Sequence, residues 1–400
     1  MKVVFFGMAC PDAILDTYEK KYAKQTMKFV QQRWDYSLSQ AFHKLIKDDF
    51  QAVSFPPVTT FPAGKCLFHR KKRCEDRGVP YTFLSTINLP VLKQLSNCLS
   101  ALFTLLRFCI RYRGEEKVII THCIYPQSAL PSFLVRRLAR VKVYTIVPDL
   151  PEHAVPYLFE NHRLLKRLFK SFIHLSEKLK DKYDGYICFS PYQREHLPKD
   201  RPYMLMEGFI DTQIVDRVPP ADLETDDRVV VYAGGLHKAY GIDLLVDAFE
   251  QAGLTDTQLW LFGQGDCVPY IQGKGHPNIV YKGVVDRETM IGIEKSVTLL
   301  VNPRPTSEDF SKCSFPSKLM EYMASGTPVL TSRLLCIGDE YFDKMFFFED
   351  VSVQGLSRGL IDTLAAPDLK KRASLAAGYI REKKTALYQA QRMLKFISYR

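Results

Sequence analysis

Residues 314–330, S-F-P-S-K-L-M-E-Y-M-A-S-G-T-P-V-L, set a hydroxyl, a cation and a carboxylate within about one helical turn. Pro316 suits a first helical turn, where its missing N–H is not needed and its φ is already set. The run then predicts a helix to Ser325, with Leu319, Met320 and Met323 facing a core. Gly326 stops it, Pro328 prevents continuation, and Val329-Leu330 opens a buried strand. A helix start carries free N–H groups and a partial positive charge, here reinforced by Lys318 and the Ser317 hydroxyl, which makes an anion site. Glu321 lies at i+4 from Ser317 and i+3 from Lys318, so the three address one ligand. A phosphate held beside a carboxylate acceptor suits a nucleotide diphosphate carrying a hydroxylated sugar or ribose.

Other candidates sit where predicted strands end. Y-A-G-G-L-H-K-A-Y-G-I-D-L-L (232–245) is a strand, a glycine turn and a helix start. Gly234 and Gly235 let backbone approach a phosphate, and Lys238 supplies charge. The pattern is not G-x-G-x-x-G, which disfavours a dinucleotide. L-W-L-F-G-Q-G-D (259–266) puts Gly263, Gln264 and Gly265 at the next strand end, where backbone groups suit a nucleobase edge. Gly283 marks a third turn, and V-N-P-R adds Asn302 and the cation Arg304. Each of these alone reads equally as an ordinary turn; together with 314–330 they describe one pocket. In the first half, Gly7 ends the first strand and His122 ends another, in I-I-T-H-C-I-Y. A lone histidine is more often a satisfied structural residue than a catalyst. Asp149, in T-I-V-P-D-L-P-E-H, reads evenly as an acceptor of a sugar hydroxyl or proton and as a helix cap.

Strand-like and helical runs alternate throughout, which predicts an α/β protein with parallel sheets covered by helices. Strands are expected at 2–6, 117–122, 143–147 and 185–189, and helices near 12–30, 38–48, 90–112, 128–139, 160–182 and 191–196. Segment 53–65, rich in proline, reads as a loop. Four hundred residues suit two domains of about 200 each. A polar, aperiodic stretch with a Pro-Pro pair divides them: residues 1–208, a linker at 209–227, and a fresh alternation over 228–378. Its strands are expected at 228–235, 257–263, 279–282, 297–302 and 328–331, with helices at 241–252, 286–295 and from 354 onward. Residues 379–400 are expected to form a helix returning to the first domain. In such doubly wound sheets ligands bind beyond the carboxyl ends of the strands, and the cleft between two such domains is the expected site.

Composition narrows the classes. With 46% hydrophobic and 25% charged residues the chain is globular. The longest uncharged apolar-leaning run, Gln94–Leu106, falls short of the ~20 residues of a membrane span. The start M-K-V-V-F-F-G-M lacks a signal peptide's apolar core and cleavage site, so a cytoplasmic location is expected. Ten scattered cysteines show no zinc spacing and read as small core residues in a reducing compartment, Cys123 beside His122 being a weaker nucleophile candidate. The net charge of +11 is clustered in H-R-K-K-R (69–73) and in a basic amphipathic helix over 161–182. The helix reads as solvated charge over a core-facing stripe, or as attraction to an anionic lipid surface. Nucleic acid is disfavoured, since no aromatic-interleaved strand face accompanies the charge.

With these residues in view, 228–335 resembles the retaining nucleotide-sugar glycosyltransferases of family 4 (glycosyl transferases group 1). The resemblance rests on Y-A-G-G-L…Y-G-I-D-L-L-V-D-A-F, L-F-G-Q-G-D, Y-K-G-V-V and F-P-S-K-L-M-E-Y-M-A-S-G-T-P-V-L. It implies a GT-B fold of two Rossmann-like doubly wound domains facing a central cleft. The S-F-P-S-K-L-x-E-Y-M-A-S-G variant is similar to enzymes of bacterial capsule and exopolysaccharide synthesis. The first half matches in outline only, through T-I-V-P-D-L-P-E, I-C-F-S and M-E-G-F-I-D. The resemblance implies retaining, metal-independent transfer from a nucleoside-diphosphate sugar, UDP-sugar foremost, to a lipid-linked or oligosaccharide acceptor, with no further cofactor. Location would be peripheral, at the inner face of the cell membrane. His122, Asp149, Lys238 and Lys318 are the catalytic candidates. Gly7, Gly234, Gly235, Lys238, Gly263, Gln264, Gly265, Gly283, Arg304, Ser317, Lys318, Leu319 and Glu321 are the donor-binding ones. Glu321 stands at the second glutamate of the family's E-x7-E, similar to a ribose-binding residue. Cys313 stands at the first, with Glu308 and Asp309 at the wrong spacing to replace it. Leu236 and Tyr240 stand where the family carries its phosphate-binding Arg and Lys. Those departures leave two other readings in view, a GT-B sugar-nucleotide epimerase and a degenerate partner subunit of an active transferase.

Overall fold

The computed structural model describes residues 1–22, 30–150, 163–307, 311–312 and 315–398. The expected helix over 23–29, the start of the basic helix before 163, and Glu308, Asp309 and Cys313 lie outside them. The chain divides into two compact units, Met1–Met206 with Ala390–Arg400, and Glu207–Gln389.

In the first unit the strands are β1 (Lys2–Gly7), β2 (Phe50–Ser54), β3 (Phe68–His69), β4 (Lys72–Asp76), β5 (Val79–Phe83), β6 (Thr86–Ile87), β7 (Lys117–His122), β8 (Val141–Val147), β9 (Gly185–Cys188) and β10 (Tyr203–Leu205). Among the described residues they form one sheet ordered β10-β9-β8-β7-β1-β2-β5-β4, while β3 and β6 pair separately. All neighbours in the large sheet are parallel except β4 and β5. The central runs V-V-F-F and V-I-I are fully buried, as a sheet covered on both faces requires. Strand β2 occupies the residues just before the proline-rich stretch and takes in the first of those read as loop. Its Phe50, Ala52 and Val53 are buried between β1 and β5, so tertiary pairing outweighs a weak local signal. The β4–β5 hairpin also went unread. Its two-residue turn, Arg77-Gly78, has positive φ at both positions (50° and 83°), as a primed turn demands.

The second unit holds β11 (Arg228–Ala233), β12 (Thr257–Phe262), β13 (Ile279–Gly283), β14 (Leu299–Asn302), β15 (Val329–Ser332) and β16 (Phe346–Phe348), all parallel, in the order β13-β12-β11-β14-β15-β16. Helix Ile242–Ala252 buries Ile242, Leu245, Val246 and Phe249 over one face. Burying one such side chain contributes about 1.5–3 kcal/mol. The stretch read as linker contains helix Thr212–Arg217. Asp211 caps it through Gln213 N (3.1 Å), and Val215 and Val218 are buried in this unit's core. The polar residues around these two hid the helix.

Both sheets reverse direction in the same manner. In the first unit the chain builds outward from β1 through β2, then resumes on β1's other side with β7. In the second it builds from β11 through β12 and β13, then resumes with β14. The carboxyl ends of β1 and β7, and of β11 and β14, are therefore the topological switch points, where open α/β sheets bind ligands.

Candidate active site

At the second unit's switch point, β11 runs into Gly234-Gly235 and β14 into Pro303-Arg304. The two loops meet: a Cβ on Gly241 would strike the Pro303 carbonyl oxygen, and the Arg304 guanidinium lies 5.1 Å from the Tyr240 ring centroid. Asn302 is buried and donates to Thr331 Oγ1 (2.9 Å). The strand ends beside them are joined by main-chain bonds, Gly234 N to Phe262 O (2.9 Å), Leu236 N to Gln264 O (2.8 Å) and Gly263 N to Gly283 O (2.8 Å). A Cβ on Gly263 would run into Gly234, and one on Gly265 into Leu236. These two glycines are thus required by the close approach of two turns. Both main-chain groups of Gly263 are engaged, since its carbonyl accepts from Tyr281 Oη (3.0 Å). Gln264 remains exposed, and Gly265 and Gly283 are partly so.

Helix Ser317–Ser325 is held over the end of β11 by Tyr322, whose hydroxyl accepts from Ala233 N (2.8 Å) and donates to Ala233 O (3.2 Å). Gly326 closes the helix in the left-handed conformation, φ 82°. Ser317 is exposed in the first turn. Leu319 is fully buried, as its place on the core-facing side predicts, and its N–H is bonded to Pro316 O (2.9 Å). Lys318 does not extend freely toward an anion. It lies 3.0 Å from Glu321 Oε2, its i+3 partner, and 3.7 Å from Glu294.

Two members of this cluster were missed in the sequence, Arg287 and Glu294, both on helix Arg287–Ser296. Asp286 caps that helix through Glu288 N and Thr289 N (3.0 Å each). Arg287 NH2 donates to Glu321 Oε1 (3.1 Å), so Glu321 is held by two cations. Burial presses its carboxyl upward, but Lys318 and then Arg287 outweigh that and hold it below the usual range. Glu294 is buried, and burial raises it to about 7, Lys318 offsetting this in part and Glu321 adding to it. Helical spacing within 286–295 gave no hint of this pairing, which is tertiary. Lys238, expected as a phosphate cation, is exposed, and its main-chain N–H donates to Asp266 Oδ1 (3.2 Å). Asp266 also sits 3.3 Å from His237 Nδ1.

The first unit's switch point carries a second constellation. His122, at the end of β7, is buried with its Nδ1 on Asp35 Oδ1, and Asp35 Oδ2 accepts from Met8 N (2.6 Å) at the end of β1. Asp35 comes from helix Val30–Ile46, 87 residues earlier, and a Cβ on Gly7 would collide with its carboxylate. Trp34 lies edge-on to the imidazole at 5.0 Å. Burial works against a charge on His122, but the Asp35 carboxylate, with Cys123 beside it, raises the imidazole to about 10. Cys123 holds φ 65°, and its thiol is the leading cause of the raised Tyr125 phenol, with burial next and Asp149 also contributing. Asp149 is itself exposed. Among the described residues, no three His, Cys, Asp or Glu side chains converge as a metal-binding set.

Comparison with known proteins agrees with the second unit first. Residues 227–365 match the model of the family described as glycosyl transferases group 1. This unit is a glycosyl transferases group 1 domain. No curated protein matches the chain. Among solved structures, sucrose-phosphate synthase from Thermosynechococcus elongatus is 15% identical, with a TM-score of 0.66 over 100% of each chain. Anabaena HepE in complex with UDP is 12% identical, TM-score 0.61, again over 100% of each. A trehalose-6-phosphate synthase studied for glycosyl transfer with retention is 10% identical, TM-score 0.67, over 100% of this chain and 99% of that one. At these identities the likeness is one of fold, and the fold is GT-B, two Rossmann-like domains in one chain. Within the group 1 domain, helix Ser317–Ser325 and the turns after β11, β12 and β14 carry the residues that the sequence singled out. Among them Lys238 is exposed beside Asp266 and Leu319 is buried in the core.

Proposed function

We propose that the chain is a glycosyltransferase that moves a sugar, with retention of configuration, from a UDP-sugar to a hydroxyl of a lipid-linked or growing polysaccharide acceptor in bacterial capsule or exopolysaccharide synthesis. The observation that carries this reading is the Arg287–Glu321–Lys318 arrangement one turn into a helix whose start supplies main-chain N–H groups. Glu321, kept ionised by its two cations, accepts from ribose hydroxyls. The helix start, Ser317 and Arg304 face the diphosphate, and Lys318 adds positive potential beside it. In the transfer the bond from the anomeric carbon to the diphosphate oxygen breaks. A bond to the acceptor oxygen forms on the same face, and the hydroxyl proton passes to the departing diphosphate, with no metal ion needed. The first unit supplies the acceptor site, with protonated His122 as a hydrogen-bond donor and Asp149 as a hydroxyl acceptor. The enzyme works at the cytoplasmic face of the membrane, where the basic helix Arg163–Lys180 presents exposed Arg167, Lys170 and Lys178.

Glu321→Gln tests the reading by calorimetric titration with UDP and by transfer assays across UDP-sugars. Losing one charge-assisted partner should weaken UDP by roughly tenfold or more. UDP affinity and transfer rate both unchanged in Glu321→Gln and in Lys318→Ala would refute it.

A further inference from the structure

Helix Leu92–Arg111 is turned inside out on one side. Its buried face carries Ala101, Leu105, Phe108 and Cys109 together with Asn97 and Thr104. The opposite face presents Leu92, Leu95, Leu99, Phe103 and Ile110, which are 44–73% exposed. At 100° per residue these five fall within an arc of about 80°, with partly exposed Leu106 inside it and Leu102 at its edge. The stripe runs the length of the helix, about 30 Å for 20 residues. The helix contains the uncharged run Gln94–Leu106, which is too short to span a membrane, and no described helix is long and apolar enough to cross one. The β3–β6 ladder widens the patch. Phe68 (54% exposed) pairs opposite Ile87 (41%), and Ile87 N donates to Ser96 Oγ of the helix (2.9 Å). A continuous exposed apolar face of this kind marks a binding surface.

Its border is cationic. Lys71 and Arg73, from the H-R-K-K-R run, and Arg107 and Arg111, from the helix, line one cavity of about 370 Å³ in which Glu75 is the lone carboxylate. Lys71 Nζ donates to Thr104 Oγ1 (2.7 Å), which ties the run to the helix. Burial, and then Arg73 and Arg107, push the Lys71 ammonium below its ordinary pKa. Arg70 and Lys72 line the neighbouring cavity with Phe68.

We infer that this face docks on an anionic phospholipid bilayer, the stripe entering the headgroup–acyl boundary and the Lys71–Arg73–Arg107–Arg111 cavity taking lipid phosphate. Charge complementarity selects the occupant: an apolar helix face edged by clustered cations fits a surface of acyl chains beneath phosphates. The inference rests on the membrane-surface reading above and assigns the contact to this helix instead of to Arg163–Lys180.

The test is co-sedimentation of the full chain with phosphatidylcholine vesicles made with and without phosphatidylglycerol. The wild-type chain is expected to bind only the anionic vesicles, less tightly as salt rises. Leu95→Asp/Leu99→Asp, at exposed positions that leave the core intact, should weaken binding at least about tenfold. Arg73→Ala/Arg107→Ala should remove the preference for phosphatidylglycerol, and Lys170→Glu/Lys178→Glu should have the smaller effect. Thermal unfolding of each variant checks the fold. If the wild type binds neither vesicle, the membrane reading falls and this inference with it. If it binds and only the Lys170/Lys178 variant loses binding, this inference alone is overturned. A dimer in light scattering that Leu95→Asp/Leu99→Asp dissociates, with vesicle binding unchanged, would assign the stripe to a second copy and also overturn it.

Discussion

Four charged side chains on two helices set the charge of the proposed donor site at neutral pH. With Glu294 protonated, Arg287 and Lys318 face one carboxylate, Glu321; with Glu294 ionised they face two. Because burial raises Glu294 to about 7, the local charge moves from positive toward zero as pH climbs through that value. Affinity for UDP should therefore fall between about pH 6 and 8, by less than about tenfold. Calorimetric titration across that range should show the slope in the wild type and lose it in Glu294→Gln. His122 gives the opposite kind of pH signature, one of stability. Its folded value of about 10 exceeds the ordinary 6.5, so its pairing with Asp35 stabilises fully below about 6.5 and is lost as pH rises toward 10. Thermal unfolding between pH 6.5 and 10 should decline more steeply for the wild type than for Asp35→Asn; parallel slopes would refute the assignment. The sequence showed His122, Glu321 and its i+3 partner Lys318, but not Asp35, Arg287 or Glu294. Asp35, Arg287 and Glu294 sit on ordinary amphipathic helices, and what makes them special is packing across the fold.

The elements were legible where one signal dominates. Helix Ser317–Ser325 begins after Pro316 and ends at Gly326 as its residues dictate, and β1, β7, β8 and β11 are apolar runs that a covered sheet needs. They were illegible where pairing partners lend the stability, as for β2, for β16 with its three phenylalanines, and for the short helix Thr212–Arg217. The glycine turns were legible as turns but not as to purpose. Gly263, at φ 135°, and Gly234 abut because β11 and β12 end side by side, so a side chain at 263 strikes backbone whether or not a ligand binds. Gly263→Ala should cost about 1–3 kcal/mol of stability. Denaturant unfolding would measure this, and an unchanged midpoint would show that the turn has slack.

The whole chain is two switch-point sheets with a late return. Residues Ala390–Arg400 belong to the first unit, where Ala390, Met393 and Ile397 are fully buried, Phe396 meets Tyr144 edge-on at 5.8 Å, and Arg392 donates to Leu205 O (2.9 Å). Ending the chain after Gln389 should destabilise the first unit by several kcal/mol, on the scale of about 2–5 kcal/mol for each large core side chain lost. Calorimetry of that variant should show the first unit's transition moved down or lost, and an unchanged profile would contradict the packing. The return also sets a timetable. During synthesis the nascent first half must wait, its hydrophobic floor open, while the group 1 domain is translated behind it. Only when residues 390–398 emerge can that half bury its last core side chains, so the later-made unit is the first able to complete its core. Residues 390–398 thereby bear on when the first unit can complete its core, and an interrupted translation would leave that apolar surface for chaperones to hold.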